Sequence, residues 1–267
     1  MQIVRKILKI LVWILIPLSI IVVGIIAQKN YFKSTISEVN VSIDYREKND
    51  LNRFLTYEDI NNFITTHYDS IKGNKIENIN LEELQNDLIA LPYIKNVNAY
   101  ITLQAELKLQ IQQRRAIIRI IDSDNNNYYL DDVGRIIPIK TKYPARVPIC
   151  NGVIPNINFY TKNYTPEELD SIVDNTLLKD VFAIAKYLDK DTLLGLQIAQ
   201  INIDINGEYT LIPLVSSHII EFGEAKNIDR KFKKLKIFYK KGLGHHKWNI
   251  YKKISLKYKN QIVCTKY

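Results

Sequence analysis

The sequence predicts an α+β protein held by a single N-terminal transmembrane helix. A β-α-α-β-β domain follows the helix, and a mainly antiparallel β domain with flanking helices completes the chain. Three observations carry this reading. Residues 10–27 contain no charged side chain. Residues 35–114 show strand, helix, helix, strand and strand periodicities in turn. From residue 115 onward the texture changes to short apolar runs divided by Asn, Asp and Gly turns.

The uncharged run includes Ile10, Trp13, Pro17, Gly24 and Ala27. As a helix it covers about 27 Å, close to the hydrocarbon thickness of a bilayer. Pro17 and Gly24 are tolerated in such a span. Arg5, Lys6 and Lys9 precede it without an acid, whereas Lys29 and Lys33 are soon offset by Glu38 and Asp44. The positive-inside tendency therefore makes residues 1–9 a cytoplasmic head and exports everything after the span. A cleaved signal peptide is the competing reading. It fits less well, because the run is long and Ile25 stands where a small residue belongs. Residues 28–34 read as a juxtamembrane linker.

The apolar fraction of 46% with 24% charge is that of a folded globular chain. The net charge of +9 is unevenly placed. Residues 226–267 hold fourteen Lys or Arg against the single acid Asp229, while residues 28–225 hold twenty bases and twenty-seven acids. An exported basic tail suits anionic headgroups, an acidic partner or solvent, and not nucleic acid. The two cysteines, Cys150 and Cys264, are either a disulfide or two separate thiols.

In order, residues 37–44 alternate as a half-buried strand. Thr56 caps a short helix with Asp59 at the capping-box position and Ile60, Phe63 and Ile64 on one face. Asn80 and Glu83 open a second helix whose stripe is Leu81, Leu84, Leu88 and Leu91, ended by Pro92. Val97, Ala99, Ile101 and Leu103 share a face of the next strand, and Leu107, Leu109 and Ile111 a face of the one after. The turn at Gln104-Ala105 makes them a hairpin. A three-stranded sheet covered by two helices on one face satisfies all of these stripes.

Beyond Arg115, residues 116–121, 128–130 and 136–138 read as strands, with turns over 122–127 and 131–134. Residues 147–150 read as another, closing on the turn pair Asn151-Gly152. Thr165, Pro166 and Glu168 start a long helix whose face is Leu169, Ile172, Val173, Leu177, Val181, Ile184, Ala185 and Leu188. Strands resume over 199–205, with a hairpin turn at Asn206-Gly207, then 209–215 and 219–222. A basic helix over 228–241 buries Phe232, Leu235, Phe238 and Tyr239, with lysines opposite and Gly242 as left-handed cap. Residues 253–259 place Ile254, Leu256 and Tyr258 on one face, and residues 261–265 form the closing strand.

Enzyme chemistry finds no support. His67, His218, His245 and His246 lack metal-ligand spacing, and no nucleophile or phosphate-loop motif occurs. Asp131-Asp132 is the most tempting carboxylate pair, but neighbours in extended chain point apart, so a turn role fits better. No catalytic residue, metal or cofactor is expected.

Two runs carry a family resemblance. Gln113-Arg114-Arg115-Ala116-Ile117-Ile118-Arg119-Ile120, leading to Tyr129-Leu130-Asp131-Asp132-Val133-Gly134-Arg135-Ile136-Ile137-Pro138, is similar to the segment joining the exported domains of the bacterial cell-division family FtsQ/DivIB. Ile254-Ser255-Leu256-Lys257-Tyr258 with Gln261-Ile262-Val263-Cys264 resembles that family's closing strands. Ala116 departs from the proline often found there. The resemblance implies a POTRA domain (polypeptide-transport-associated) over 35–114 and a β domain over 115–267. It also implies a non-catalytic role in the divisome, at the septum of the inner membrane. The partners it implies are FtsB and FtsL, with contact to septal peptidoglycan synthase components. FtsB would add a strand at Gln261, Ile262, Val263, Cys264 and Thr265, with Tyr258 nearby. A tethered envelope protein in polypeptide transport is the alternative.

Overall fold

The computed structural model of the chain describes residues 2–45, 52–68, 70–139, 144–155, 176–243 and 249–267. Helix α1 (Gln2–Lys33) contains the apolar run and continues through residues 28–33. Trp13–Lys33 is long and apolar enough to cross a membrane. Pro17 sits inside it, and Ser19 Oγ donates to the Ile16 carbonyl at 2.7 Å, a local hydrogen bond beside the proline.

The chain folds into two compact units. The first comprises residues 1–44, 55–89 and 96–112; the second comprises 45–54, 90–95 and 113–267.

In the first unit, β1 (Glu38–Asp44), α2 (Tyr57–His67), α3 (Leu81–Ile89), β2 (Ile94–Ile101) and β3 (Glu106–Gln113) follow the expected order. The sheet order is β1-β3-β2, with β1 and β3 parallel. The Thr56 capping box forms in both directions: Thr56 Oγ1 accepts the Asp59 N–H at 3.2 Å, and Asp59 accepts the Thr56 N–H at 2.8 Å. Asn80 Oδ1 accepts the Glu83 N–H at 3.2 Å, which starts α3. Ile60, Ile64, Leu84, Leu88, Leu107, Leu109 and Ile111 are all buried. Leu103 departs from its expected stripe. It lies in the β2–β3 turn and is 87% exposed, because β2 ends at Ile101.

Among the described residues, the second unit is built on a nine-stranded sheet, in the order β12-β11-β10-β9-β8-β7-β4-β5-β6. Its strands are β4 (Ala116–Ile121), β5 (Asn127–Asp131), β6 (Ile136–Pro138), β7 (Ile149–Gly152), β8 (Ile198–Ile203), β9 (Tyr209–Pro213), β10 (Ile219–Gly223), β11 (Tyr251–Ser255) and β12 (Val263–Lys266). Most neighbours are antiparallel, but β4–β7, β7–β8 and β10–β11 are parallel. Asn151-Gly152 is therefore not a hairpin turn: it ends β7 alongside β8. Gly152, at φ +110°, lies so close to β8 that a Cβ would come within 2.0 Å of the Ile203 carbonyl oxygen.

Helices α4 (Thr176–Lys190), α5 (Leu194–Gln197) and α6 (Ile228–Phe238) flank this sheet. Val181, Ile184, Ala185 and Leu188 of α4, with Phe232 and Leu235 of α6, share one core with Ile118, Ile120, Ile201, Leu211 and Ile254. The expected helix start at Thr165, Pro166 and Glu168, with Leu169, Ile172 and Val173, lies outside the described residues, as do His245 and His246. Gly242 is not the left-handed cap expected. It belongs to a π turn over Tyr239–Leu243, where a Cβ would meet the Phe238 ring at 2.7 Å.

Among the described residues, three hairpin turns share one design. Asp122, Asp131 and Asp204 each accept, on Oδ1, the N–H groups two and four residues ahead. The distances are 2.9 and 2.8 Å from Asp122, 2.9 and 2.8 Å from Asp131, and 2.8 and 2.9 Å from Asp204. The residue before the second donor is left-handed in each: Asn125 at φ +61°, Gly134 at +93° and Gly207 at +74°. Thr102 leads a related turn: its Oγ1 accepts the Glu106 N–H, four residues ahead, at 3.2 Å, and Ala105 stands at φ +59°.

Cys150 on β7 and Cys264 on β12 are both free thiols. Five strand spacings separate them in the sheet, about 24 Å at ~4.8 Å each, so they cannot bridge within one chain. Burial pushes the Cys150 thiol well above its ordinary pKa.

Candidate interaction edge

The region of interest is built by β10, α6, β11 and β12. β10 and β11 run parallel, and α6 lies between them in the chain. Lys231 fixes α6 to the end of β10. Its ammonium donates to the Phe222 carbonyl at 2.7 Å and the Glu224 carbonyl at 2.6 Å, and stands 4.7 Å over the Phe222 ring. Burial lowers its pKa. One turn on, Lys234 donates to the Tyr258 carbonyl at 2.5 Å, tying α6 to the β11–β12 connection. The lysine face expected opposite the buried stripe thus sends Lys231 inward and lays Lys234 along the neighbouring connection. Their aliphatic stems pack while each ammonium finds backbone oxygens.

β12 pairs antiparallel with β11: Ser255 faces Val263, Ile254 faces Cys264, and Lys253 faces Thr265. It ends the sheet order, and β11 is its one strand neighbour among the described residues. Val263 opens the strand at 40% exposure, Cys264 is half-buried on the core, and Thr265 and Lys266 are exposed. Gln261 and Ile262 precede the strand rather than belonging to it. Ile262 packs on the core, while Gln261 is exposed. Tyr258 leaves the apolar face expected of it, because β11 ends at Ser255; its side chain is 50% exposed. Beside the edge lies a groove of about 360 Å³ lined by Lys234, Ile237, Phe238, Lys241, Gly242, Asn260, Gln261 and Ile262. Ile237 is 57% exposed there.

The anchor residues all lie in α1. Trp13 is 80% exposed, Ala27 is exposed, and a Cβ at Gly24 would meet nothing within 4 Å. Ile10 and Pro17 are in the same helix.

Two polar clusters went unseen in the sequence. The Asp131 carboxylate, fully buried, pairs with Arg114 at 2.8 Å, whereas Asp132 pairs with Lys95 at 2.8 Å. The adjacent carboxylates serve different cations and do not converge. Ser216, at φ +131°, and Tyr239 hold the two ring nitrogens of buried His218 at 2.7 and 3.0 Å. That relay pins the β9–β10 loop to the π turn. Among the described residues no cluster of three His, Cys, Asp or Glu side chains could hold a metal ion.

A helix long and apolar enough to cross a membrane, a small β-α-α-β-β unit and a large mixed sheet whose order β12 ends among the described residues define the class, an α+β protein with an N-terminal apolar helix. Comparison with known proteins agrees. Residues 35–112 match the POTRA-like domain, and residues 115–265 match the family described as FtsQ/DivIB, C-terminal related. The second match covers more than half of the chain, and the protein belongs to that cell-division family. The family is one of divisome-type, non-catalytic scaffolds acting through protein–protein contacts. No curated protein matches the chain.

Proposed function

We propose that this chain is a non-catalytic, single-pass scaffold of the bacterial inner membrane, with residues 1–9 cytoplasmic and the rest exported to the division septum. It recruits FtsB- and FtsL-type proteins and links them to septal peptidoglycan synthesis. An FtsB-type segment adds a strand alongside β12, at Gln261, Ile262, Val263, Cys264 and Thr265, with Tyr258 at the rim. The observation supporting this is the terminal place of β12 in the sheet order. Such a strand offers backbone N–H and C=O groups for a partner to complete, and alternate side chains give selectivity. Lys252, Lys259 and Lys266 are exposed around it and favour an acidic partner.

Successive N–H groups in an antiparallel strand point to opposite flanks. One of Val263 and Cys264 therefore donates outward, and Val263→Pro and Cys264→Pro together test both flanks. Co-purification of an FtsB-type partner from membranes should be lost in at least one variant while the first unit stays folded. Retained capture in both variants would end the proposal.

A further inference from the structure

The first unit is fastened to α1 by several hydrogen bonds. The Tyr31 hydroxyl, near the end of α1, donates to the Thr102 carbonyl at 2.9 Å in the β2–β3 turn. The Ser37 N–H donates to the Ala105 carbonyl of the same turn at 2.9 Å. The Ile76 N–H donates to the Ser34 carbonyl at 3.0 Å, and Thr35 bridges Lys75. The turn and the loop before residue 76 are thus held at the end of the helix.

The aromatic residues of α1 set the depth. Trp13 and Tyr31 are eighteen residues apart, which is about 27 Å along a helix. That matches the spacing of the two interfacial belts that flank a hydrocarbon core of about 30 Å. With Trp13 at one interface, Tyr31 and its edge-on neighbour Phe32 lie at the other. Tyr31 reaches the Thr102 carbonyl directly, so the turn stands in the headgroup layer. There it carries Leu103, 87% exposed and the most exposed large apolar side chain described in this unit outside α1. Lys29, Lys33, Lys72 and Lys75 are exposed on the helix end and the neighbouring loop.

We propose that the 102–105 turn is a second membrane contact: Leu103 inserts into the interface of the anionic bilayer that α1 crosses, flanked by lysines on lipid phosphates. This rests on reading α1 as a membrane span. Insertion at two points fixes the tilt of the first unit against the bilayer, whereas a lone helix would leave it free to swing.

The test uses the full chain carrying Cys264→Ser, reconstituted in vesicles of phosphatidylethanolamine and phosphatidylglycerol. A bimane label is placed at Leu103→Cys or at Val22→Cys within α1. The expected result is blue-shifted emission at position 103 and strong quenching by lipids with a headgroup-proximal nitroxide, both weakened by Tyr31→Phe. Water-like, unquenched emission at 103 alongside quenching at 22 by lipids with a nitroxide deep in the acyl chain overturns the contact and leaves the anchor standing. Silence at both positions, with release of the protein by carbonate, overturns the anchor and the contact together.

Discussion

The two ends of the large sheet are finished in opposite ways. At one end, Tyr128, Tyr129 and Leu130 of β5 and Ile136 and Ile137 of β6 are buried. A second apolar cluster, in which Phe54 joins Ala116, Tyr129 and Ile137, covers their other face. Gln113 ties that cover down: its side chain accepts the Phe54 N–H and donates to the Asn52 carbonyl, each at 2.7 Å. Arg114–Asp131 lies beneath, and Pro138 closes the strand without an N–H to offer. At the other end, β12 shows exposed, half-buried and exposed residues in turn. One end is closed over by its own side chains; the other is the edge to which the proposed partner strand would add. Substitutions should therefore separate into those that melt the second unit and those that spare it but cost a partner.

The largest effect is expected at the closed end. Asp131→Ala strands the buried Arg114 and releases the Val133 and Arg135 N–H groups that order the turn. It should cost about 3–5 kcal/mol in urea unfolding of the full chain. Normal stability with lost partner capture would break the contrast. Lys231→Met keeps the stem but takes the donor from the buried Phe222 carbonyl and the part-buried Glu224 carbonyl, for a loss of about 1–3 kcal/mol. Because Lys231 positions α6 beneath the open end, that variant should weaken partner capture as well, as a pull-down would show.

A smaller, pH-dependent loss is expected at Asp191, which links the end of α4 to α6. Burial alone would raise its pKa, but the hydrogen bond from Lys236 and the N–H groups of Leu194 and Leu193 outweigh burial and hold it below the ordinary carboxylate range. Its stabilisation is complete above the unfolded value of about 3.9 and fades as pH falls through the lower folded value. Asp191→Asn should thus lower the melting temperature at neutral pH and flatten the acid limb of a stability–pH curve. The smallest effect on stability belongs to Lys266→Glu, within about 0.5 kcal/mol. The same change should slow association with an acidic partner, measurable by surface plasmon resonance.

Local rules made much of this legible. The Thr56–Asp59 box, the Leu84 and Leu88 stripe and the alternation at Leu107, Leu109 and Ile111 are short-range patterns, and they placed the first unit. The closing strand was readable in place but not in bounds: it runs Val263–Lys266, not 261–265. The parallel pairings of β7 with β4 and β8, and of β10 with β11, were not readable. Nothing local specifies which distant strand becomes a neighbour. Leu103 and Tyr258 misled for a related reason: alternation continued on paper one or two residues past the last strand hydrogen bond. The contacts of Lys231 and Lys234 were hidden because a lysine row reads as solvent-facing until the backbone oxygens it reaches are known. Asp122, Asp131 and Asp204 gave a usable signal in hindsight: an aspartate three residues before Asn or Gly marks each turn.

The parallel placement of β10 and β11 has a consequence for assembly order. A folding chain can zip β8, β9 and β10 by neighbouring turns, but must then wrap α6 across before β11 has anywhere to lie. β12 can dock only after that. Under the proposed strand addition, the strand that a partner would extend is accordingly a late piece to form, and a half-made sheet does not yet present it. On that proposal, recruitment would double as an inspection of finished goods.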